Sequence, residues 1–168
     1  PATLLLVFTA QILALFIGVI LGVISARKPN GIASHFVTIL ALFGYSAPVF
    51  WTGILLLIGF SLKIQIFPVA GMQDVTIEGG FWVHFLDLAR HLVLPVITLG
   101  SIFLALYSRL SRATMMEVLG SDYVRTAKAK GLSEREVVYK HALKNSLSPV
   151  ITLAGLQFSA VISGAVLV

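Results

Sequence analysis

Apolar side chains come in long blocks along this chain, not at a short helical or strand period. Four blocks stand out: Ala2–Ile24, Phe36–Leu62, His91–Tyr107, and Pro149 to the last residue. A helix rises about 1.5 Å per residue and the hydrocarbon core is about 30 Å thick, so about 20 residues cross it. The first, second and fourth blocks have almost no polar face, which excludes the half-buried helices of a soluble bundle. The third is shorter, but its helix can continue through Leu110. The pattern predicts an all-α fold, a polytopic bundle of four transmembrane helices. Pro48 and Pro95 are expected to kink the second and third spans. Between the blocks lie three loops, 25–35, 63–90 and 108–148. Phe81 to Leu88 is expected to form a short interfacial helix, with Trp51, Phe81, Trp82 and Phe85 as anchors at the outer interface.

Composition agrees with the pattern. Of 168 residues, 58% are hydrophobic and 11% charged, against about a quarter charged in soluble domains. The chain has no cysteine, so neither disulfides nor a thiolate metal site are available. His35, His84, His91 and His141 show no ligand spacing such as HxxxH, and no metal site is expected. The net charge of +5 reflects membrane sidedness and not nucleic-acid binding. Loop 25–35 carries Arg27 and Lys28. Loop 108–148 carries Arg109, Arg112, Arg125, Lys128, Lys130, Arg135, Lys140 and Lys144. With four spans these loops share a side, which then holds ten of the twelve basic residues. The positive-inside rule makes that side cytoplasmic and loop 63–90 external. The chain starts without a charged n-region, so no signal peptide is expected. Both ends lie in apolar sequence, which predicts a fragment truncated at one or both ends.

Few polar groups interrupt the spans. Gln11 is expected to make an interhelical hydrogen bond, with a substrate contact as the alternative. Gly18 and Gly22 form a GxxxG pair that lets another helix approach closely. No Asp, Glu, Lys or Arg is expected inside a span, which argues against a self-powered secondary transporter.

Loop 108–148 reads as consecutive helices. The third span should continue and stop near Gly120. Ser121 or Asp122 is placed to cap a helix through Lys130, with Asp122 and Arg125 paired at i,i+3. Gly131 should end that helix. Ser133 and Glu136 have the spacing of a capping box, and Glu136 with Lys140 the favoured i,i+4 polarity. Pro149 marks entry to the fourth span. Small alanines on the 122–131 helix suit close helix packing, so the loop reads as a docking device. A lipid-surface helix and a solvated connector are the alternatives.

The stretch "RTAKAKGLSEREVVYKHALKN" resembles the EAA loop of ABC importer permeases, whose pattern is EAA, three residues, Gly, nine residues, I-x-L-P. Arg125, Thr126 and Ala127 occupy the EAA positions, Gly131 the glycine and Leu143 the leucine. Arg125 and Thr126 stand for Glu-Ala, His141 for the Ile and Lys144 for the Pro. The departures resemble the dipeptide/oligopeptide/nickel subfamily, where RTA(R/K)AKGL is usual. The span order and the external "IQIFPVAGM" also fit. The resemblance implies a type I ABC importer permease, a single transmembrane domain over 1–168 holding spans two to five of six. It implies a transport subunit that is no enzyme. It would sit in a bacterial or archaeal plasma membrane and carry peptides, glutathione or a nickel complex. Implied partners are a second homologous permease, two cytoplasmic ATPase subunits that bind the ATP, an external solute-binding protein and the bilayer. The chain holds no GxxxxGK[S/T] phosphate loop and no cofactor of its own is expected. The coupling residues implied are Arg125, Ala127, Gly131, Leu132, Ser133, Glu136 and Leu143. The competing reading is an ion channel or secondary carrier whose basic inner loop binds lipid.

Overall fold

A computed structural model describes residues 2–74, 76 and 78–166. It is helical, with no strand among the described residues. Helix α1 is Ala2–Arg27, α2 is Ile32–Ser46, and α3 is Val49–Leu56, which closes with a π-helical stretch, Leu57–Lys63. Helix α4 runs over Phe81–Leu119 and α5 over Asp122–Ala129. Helix α6, Glu134–Glu136, widens into a π-helical stretch at Val137–Ala142, and α7 follows as Leu143–Val166. Helices α1 and α4 are each long and apolar enough to cross a membrane, and α2 with α3 adds a third, sharply bent, candidate among the described residues. The expected fourth span lies in α7, and its last two residues, 167 and 168, lie outside the described residues.

The seam between α1 and α4 is the spine of the fold. A lipid environment gives helices no hydrophobic reason to associate, so close packing has to come from small residues. Gly18 and Gly22 supply it. A Cβ on Gly18 would lie 2.8 Å from the Tyr107 Cβ, and one on Gly22 would lie 2.6 Å from the Ser111 Cβ and 2.8 Å from the Ser108 carbonyl. The other side of α1 carries Leu13, Phe16, Ile17 and Ile20 outward, exposed. Helix α7 closes the third side: Ala14, Tyr107, Val150 and Ala154 share one buried cluster, and Phe8 stacks on Phe158 at 5.2 Å.

The two span prolines behave differently. Pro48 does more than kink the second span: α2 and α3 meet at 106°. Ala47, the residue before the proline, is extended at φ −74°, ψ 130°. A proline disfavours helical geometry in its predecessor, and here that preference breaks the helix. Pro95 lies inside an unbroken α4. The buried neighbours Leu94 and Val96 hold that stretch, and only one backbone donor is lost.

Several expected boundaries move. Phe81 to Leu88 is not a separate interfacial helix; it is the start of α4. Phe81, Trp82 and Phe85 are exposed there and lie against one another, Phe81 and Trp82 edge to face at 5.6 Å. Ser108 to Leu119 belongs to α4, as the expected continuation to Gly120 has it, and the part of loop 108–148 outside the two long helices is the 120–142 stretch. Pro149 does not mark the start of the last span: α7 begins six residues earlier, at Leu143, and Pro149 lies inside it. The π-helical stretch before Leu143 hands its backbone bonds straight to α7, so no break is needed. Gln11 is fully buried, but neither amide atom has a hydrogen-bond partner among the described residues. The expected interhelical bond is not made among the described residues.

Candidate functional site at the inner loop

The 120–142 loop is a small folded unit seated on the ends of α1 and α4. Its inward face is apolar. Val124 and Ala127 of α5 join Val137, Val138 and Ala142 around Met115 of α4 and Val23 and Ala26 of α1. Leu132 and Leu143 pack against this cluster from its edge. Burying each valine is worth roughly 1.5–3 kcal/mol, enough to hold so short a helix, which would be marginal alone.

The turn between α5 and α6 is set by Gly131. Its φ of +83° is the left-handed region that a side chain resists. Two backbone bonds close the helix end there. The Gly131 N–H donates to Lys128 O at 3.0 Å, and the Leu132 N–H to Ala127 O at 3.4 Å. This is the Schellman pattern, and it comes with the hydrophobic contact of Leu132 back onto the cluster. Nothing lies within 4 Å of where a Gly131 Cβ would stand. The glycine is therefore required by backbone angle and not by space.

The capping box forms. The Glu136 N–H donates to Ser133 Oγ at 3.3 Å, while the Ser133 N–H and Oγ–H donate to Glu136 Oε2 at 3.2 and 2.9 Å. The hydrogen bonds from the Ser133 hydroxyl and then its N–H hold the Glu136 carboxyl below the usual glutamate range, with smaller help from Lys140 and His141. The expected Glu136–Lys140 ion pair is not closed within 4.0 Å among the described residues. The π-helical stretch begins directly after Glu136, and its wider turn carries Lys140 off the glutamate's face. Ser121 occupies the cap position of α5, but its hydroxyl donates back to Val118 O and caps nothing. The Asp122–Arg125 pair is present at 3.5 Å on an exposed surface.

The predicted residues thus divide into two groups. Ala127 is buried, and Leu132 and Leu143 are half-buried; all three face the chain's own core. Arg125, Gly131, Ser133 and Glu136 are exposed. Three features escaped the sequence reading. Arg27 at the end of α1 reaches Glu134 at 3.6 Å, and Asn145 Nδ2 donates to Tyr123 Oη at 2.9 Å, tying α5 to α7. Thr114 Oγ1 also donates to Ser146 O at 2.9 Å, joining α4 to α7. None of these has a sequence signal, since each joins residues far apart in the chain. At the opposite end of α4, the Asp74 N–H donates to Asp87 Oδ2 at 2.7 Å, fastening Asp74 to α4, and His91 Nδ1 lies 3.3 Å from Asp87 Oδ1 within the helix. Below it lies a mainly apolar cavity of about 410 Å³ touching Leu6, Gly53, His91 and Thr98. No group of three or more metal-ligating side chains is found among the described residues.

Residues 18–168 match the family described as "Binding-protein-dependent transport system inner membrane component", and the chain belongs to that family, with its type I ABC importer permease fold. The chain is 44% identical to the di/tripeptide transport system permease protein DppB of Pseudomonas aeruginosa, over 99% of this chain and 54% of that one. It is 40% identical to the dipeptide transport system permease protein DppB of Escherichia coli, over 99% and 54%. Identity to the oligopeptide transport system permease protein AppB of Bacillus subtilis is 38%, over 100% and 52%. The chain therefore spans about half the length of these relatives.

Proposed function

We propose that this chain is part of the membrane path of an ATP-driven importer for di- and oligopeptides, and that its inner loop receives the stroke of a cytoplasmic ATPase subunit. The other members would be a second, similar permease, a second ATPase subunit and an external solute-binding protein. The peptide class rests on the names of the relatives; glutathione or a nickel complex is the finer alternative. The inner loop would face the cytoplasm, where the basic residues are concentrated. Residues 1–168 would form one transmembrane domain, with the external loop meeting the binding protein.

One observation carries the coupling role. The inner loop is packed on the ends of α1 and α4 through Val23, Ala26 and Met115, while Arg125, Ser133 and Glu136 face outward. A push on the outer face is thus delivered to two spans through a shared core, a two-state element that a partner can bias. Ala127, Leu132 and Leu143 would transmit the push; Arg125 and the Ser133–Glu136 box would receive it; Gly131 sets the angle between the two helices.

The test uses the full-length protein in its transporter. Residues 1–168 hold no cysteine, so in a full-length background cleared of any other cysteine Ser133→Cys places a single thiol on the outward face. It should cross-link to an ATPase subunit, and Gly131→Trp should leave ATP hydrolysis running while peptide uptake falls. Failure to co-purify with any ATPase, or full uptake in Gly131→Trp, would overturn the reading and favour a channel or carrier.

A further inference from the structure

Arg109 and Arg112 were expected in loop 108–148, on the helical continuation of the third span. Both belong to α4 and lie on one face of it, three residues apart. That face looks onto α2. Arg112 Nη1 donates to Thr38 Oγ1 at 2.6 Å, and its Nη2 lies 3.5 Å from Pro29 O in the turn between α1 and α2. Arg109 extends toward the middle of the fold and lies over the Tyr45 ring, 5.7 Å from its centroid. No carboxylate comes within 4.0 Å of either guanidinium among the described residues. Between them runs an open groove of about 340 Å³, whose remaining walls include Val37, Ala41, Leu42 and Met116.

We propose that this groove is a binding site for an anionic phospholipid, with Arg109 and Arg112 holding the phosphate and the apolar walls of α2 and α4 receiving the start of an acyl chain. Two cations without a counter-charge at the edge of a low-dielectric region are costly, and such groups are usually paired. Guanidinium forks match a phosphate with two parallel hydrogen bonds. Basic pockets between membrane helices on the cytoplasmic side are suited to lipid headgroups. Arg112 reaches the α1–α2 turn at Pro29, the end of the spans where headgroups of that leaflet would lie, and Arg109 lies deeper, toward Tyr45. The wall chemistry separates a lipid from other anions. A peptide carboxylate brings backbone amides, for which the walls offer the Thr38 and Ser108 hydroxyls, both already hydrogen-bonded, and free phosphate gains nothing from Leu42 or Met116. The leaflet assignment rests on the proposed cytoplasmic position of the inner loop; the site itself rests on the two arginines and the groove.

The experiment is lipid titration of the delipidated full-length protein, read by native mass spectrometry with phosphatidylglycerol and phosphatidylcholine as probes. Phosphatidylglycerol should bind in preference. Arg109→Gln, which leaves the Arg112–Thr38 bond intact, should weaken it about fivefold, and R109Q/R112Q about thirtyfold, from the loss of one and two basic contacts. Lys128→Gln/Lys130→Gln, exposed at the end of α5 and just beyond it, should change nothing. Undiminished phosphatidylglycerol binding in Arg109→Gln and in the double variant would overturn the site. So would equal binding of phosphatidylcholine, or displacement of the lipid by inorganic phosphate or by a tripeptide. Orientation is read separately by labelling Ser133→Cys with an impermeant maleimide in vesicles of each sidedness. Arginine-dependent lipid binding with outside labelling would support the site while overturning the cytoplasmic assignment.

Discussion

Gly22 and Gly131 are the same residue type in opposite roles. Gly22 sits in the membrane seam in ordinary helical geometry, and its lack of a Cβ is spatial: the α4 backbone at Ser108 and Arg112 comes within 3 Å of where that atom would be. Gly131 sits in the inner loop with open space around it, and its lack of a Cβ is conformational. The seam thus specifies distance between two helices, and the loop specifies an angle between two helices. In lipid, where apolar burial drives nothing, distance is the quantity that packing needs. Outside it, the loop is held as a soluble protein is, by a buried valine cluster, a Schellman turn and a capping box.

The largest effect should come from breaking the seam. Gly22→Val puts a branched side chain against backbone that cannot yield, and overpacking of this kind costs about 3 kcal/mol. Thermal or denaturant unfolding of the purified full-length protein should show the loss, with reduced folded yield in the membrane. Gly131→Val tests the other glycine. It should cost less, roughly 1–2 kcal/mol, the penalty for left-handed geometry, and Gly131→Asn should recover most of it because Asn tolerates that region. If Gly131→Val proved worse than Gly22→Val, the division between distance and angle would be wrong.

Legibility follows the same division. The loop's local devices were readable because each is a short-range pattern: Ser133 with Glu136, Gly131 after a helix, Asp122 with Arg125. The spans were readable as apolar blocks, and Gly18 with Gly22 as a contact of unstated partner. The continuation of the third span to Gly120 was also readable, and α4 ends there. Three features were not readable. The 106° break at Pro48 and the unbroken helix at Pro95 depend on what packs beside each proline. The loss of the Glu136–Lys140 pair depends on a π-helical stretch that Val137, Val138 and Ala142 adopt while burying against Met115. Gln11, expected to find a partner, is buried without one, and the structure offers no physical account of it.

Within the loop, the capping box ranks next. Ser133→Ala should cost about 1 kcal/mol by freeing the first backbone donors of α6. The same box has a pH signature. Glu136 titrates below the ordinary glutamate range when folded, so its contribution is present above that ordinary value and lost as pH falls through the lowered folded value. Stability of the loop, followed by amide exchange of residues 134–138, should therefore decline on acidification below the usual glutamate range. Glu136→Gln should flatten that decline, and an unchanged profile would mean the carboxylate is not held as described.

The smallest structural effect is expected at Arg125, and its smallness is what makes it informative. The Asp122–Arg125 pair is highly exposed on both sides, and such pairs contribute about 0.5 kcal/mol or less. Arg125→Ala should leave the unfolding transition almost unmoved, because Val124 and Ala127, not Arg125, hold α5 to the core. Ala127→Leu should behave in the opposite way, loosening α5 by overpacking a buried site. A lowered yield of the ATPase complex with Arg125→Ala would then report a lost contact at the partner surface and not a loosened loop. Measured side by side, the two variants separate the residue that would touch the partner from the residue that holds the helix in place. A large stability loss in Arg125→Ala would show that α5 is held by its exposed charges and that the inward valine cluster is not what fixes the loop.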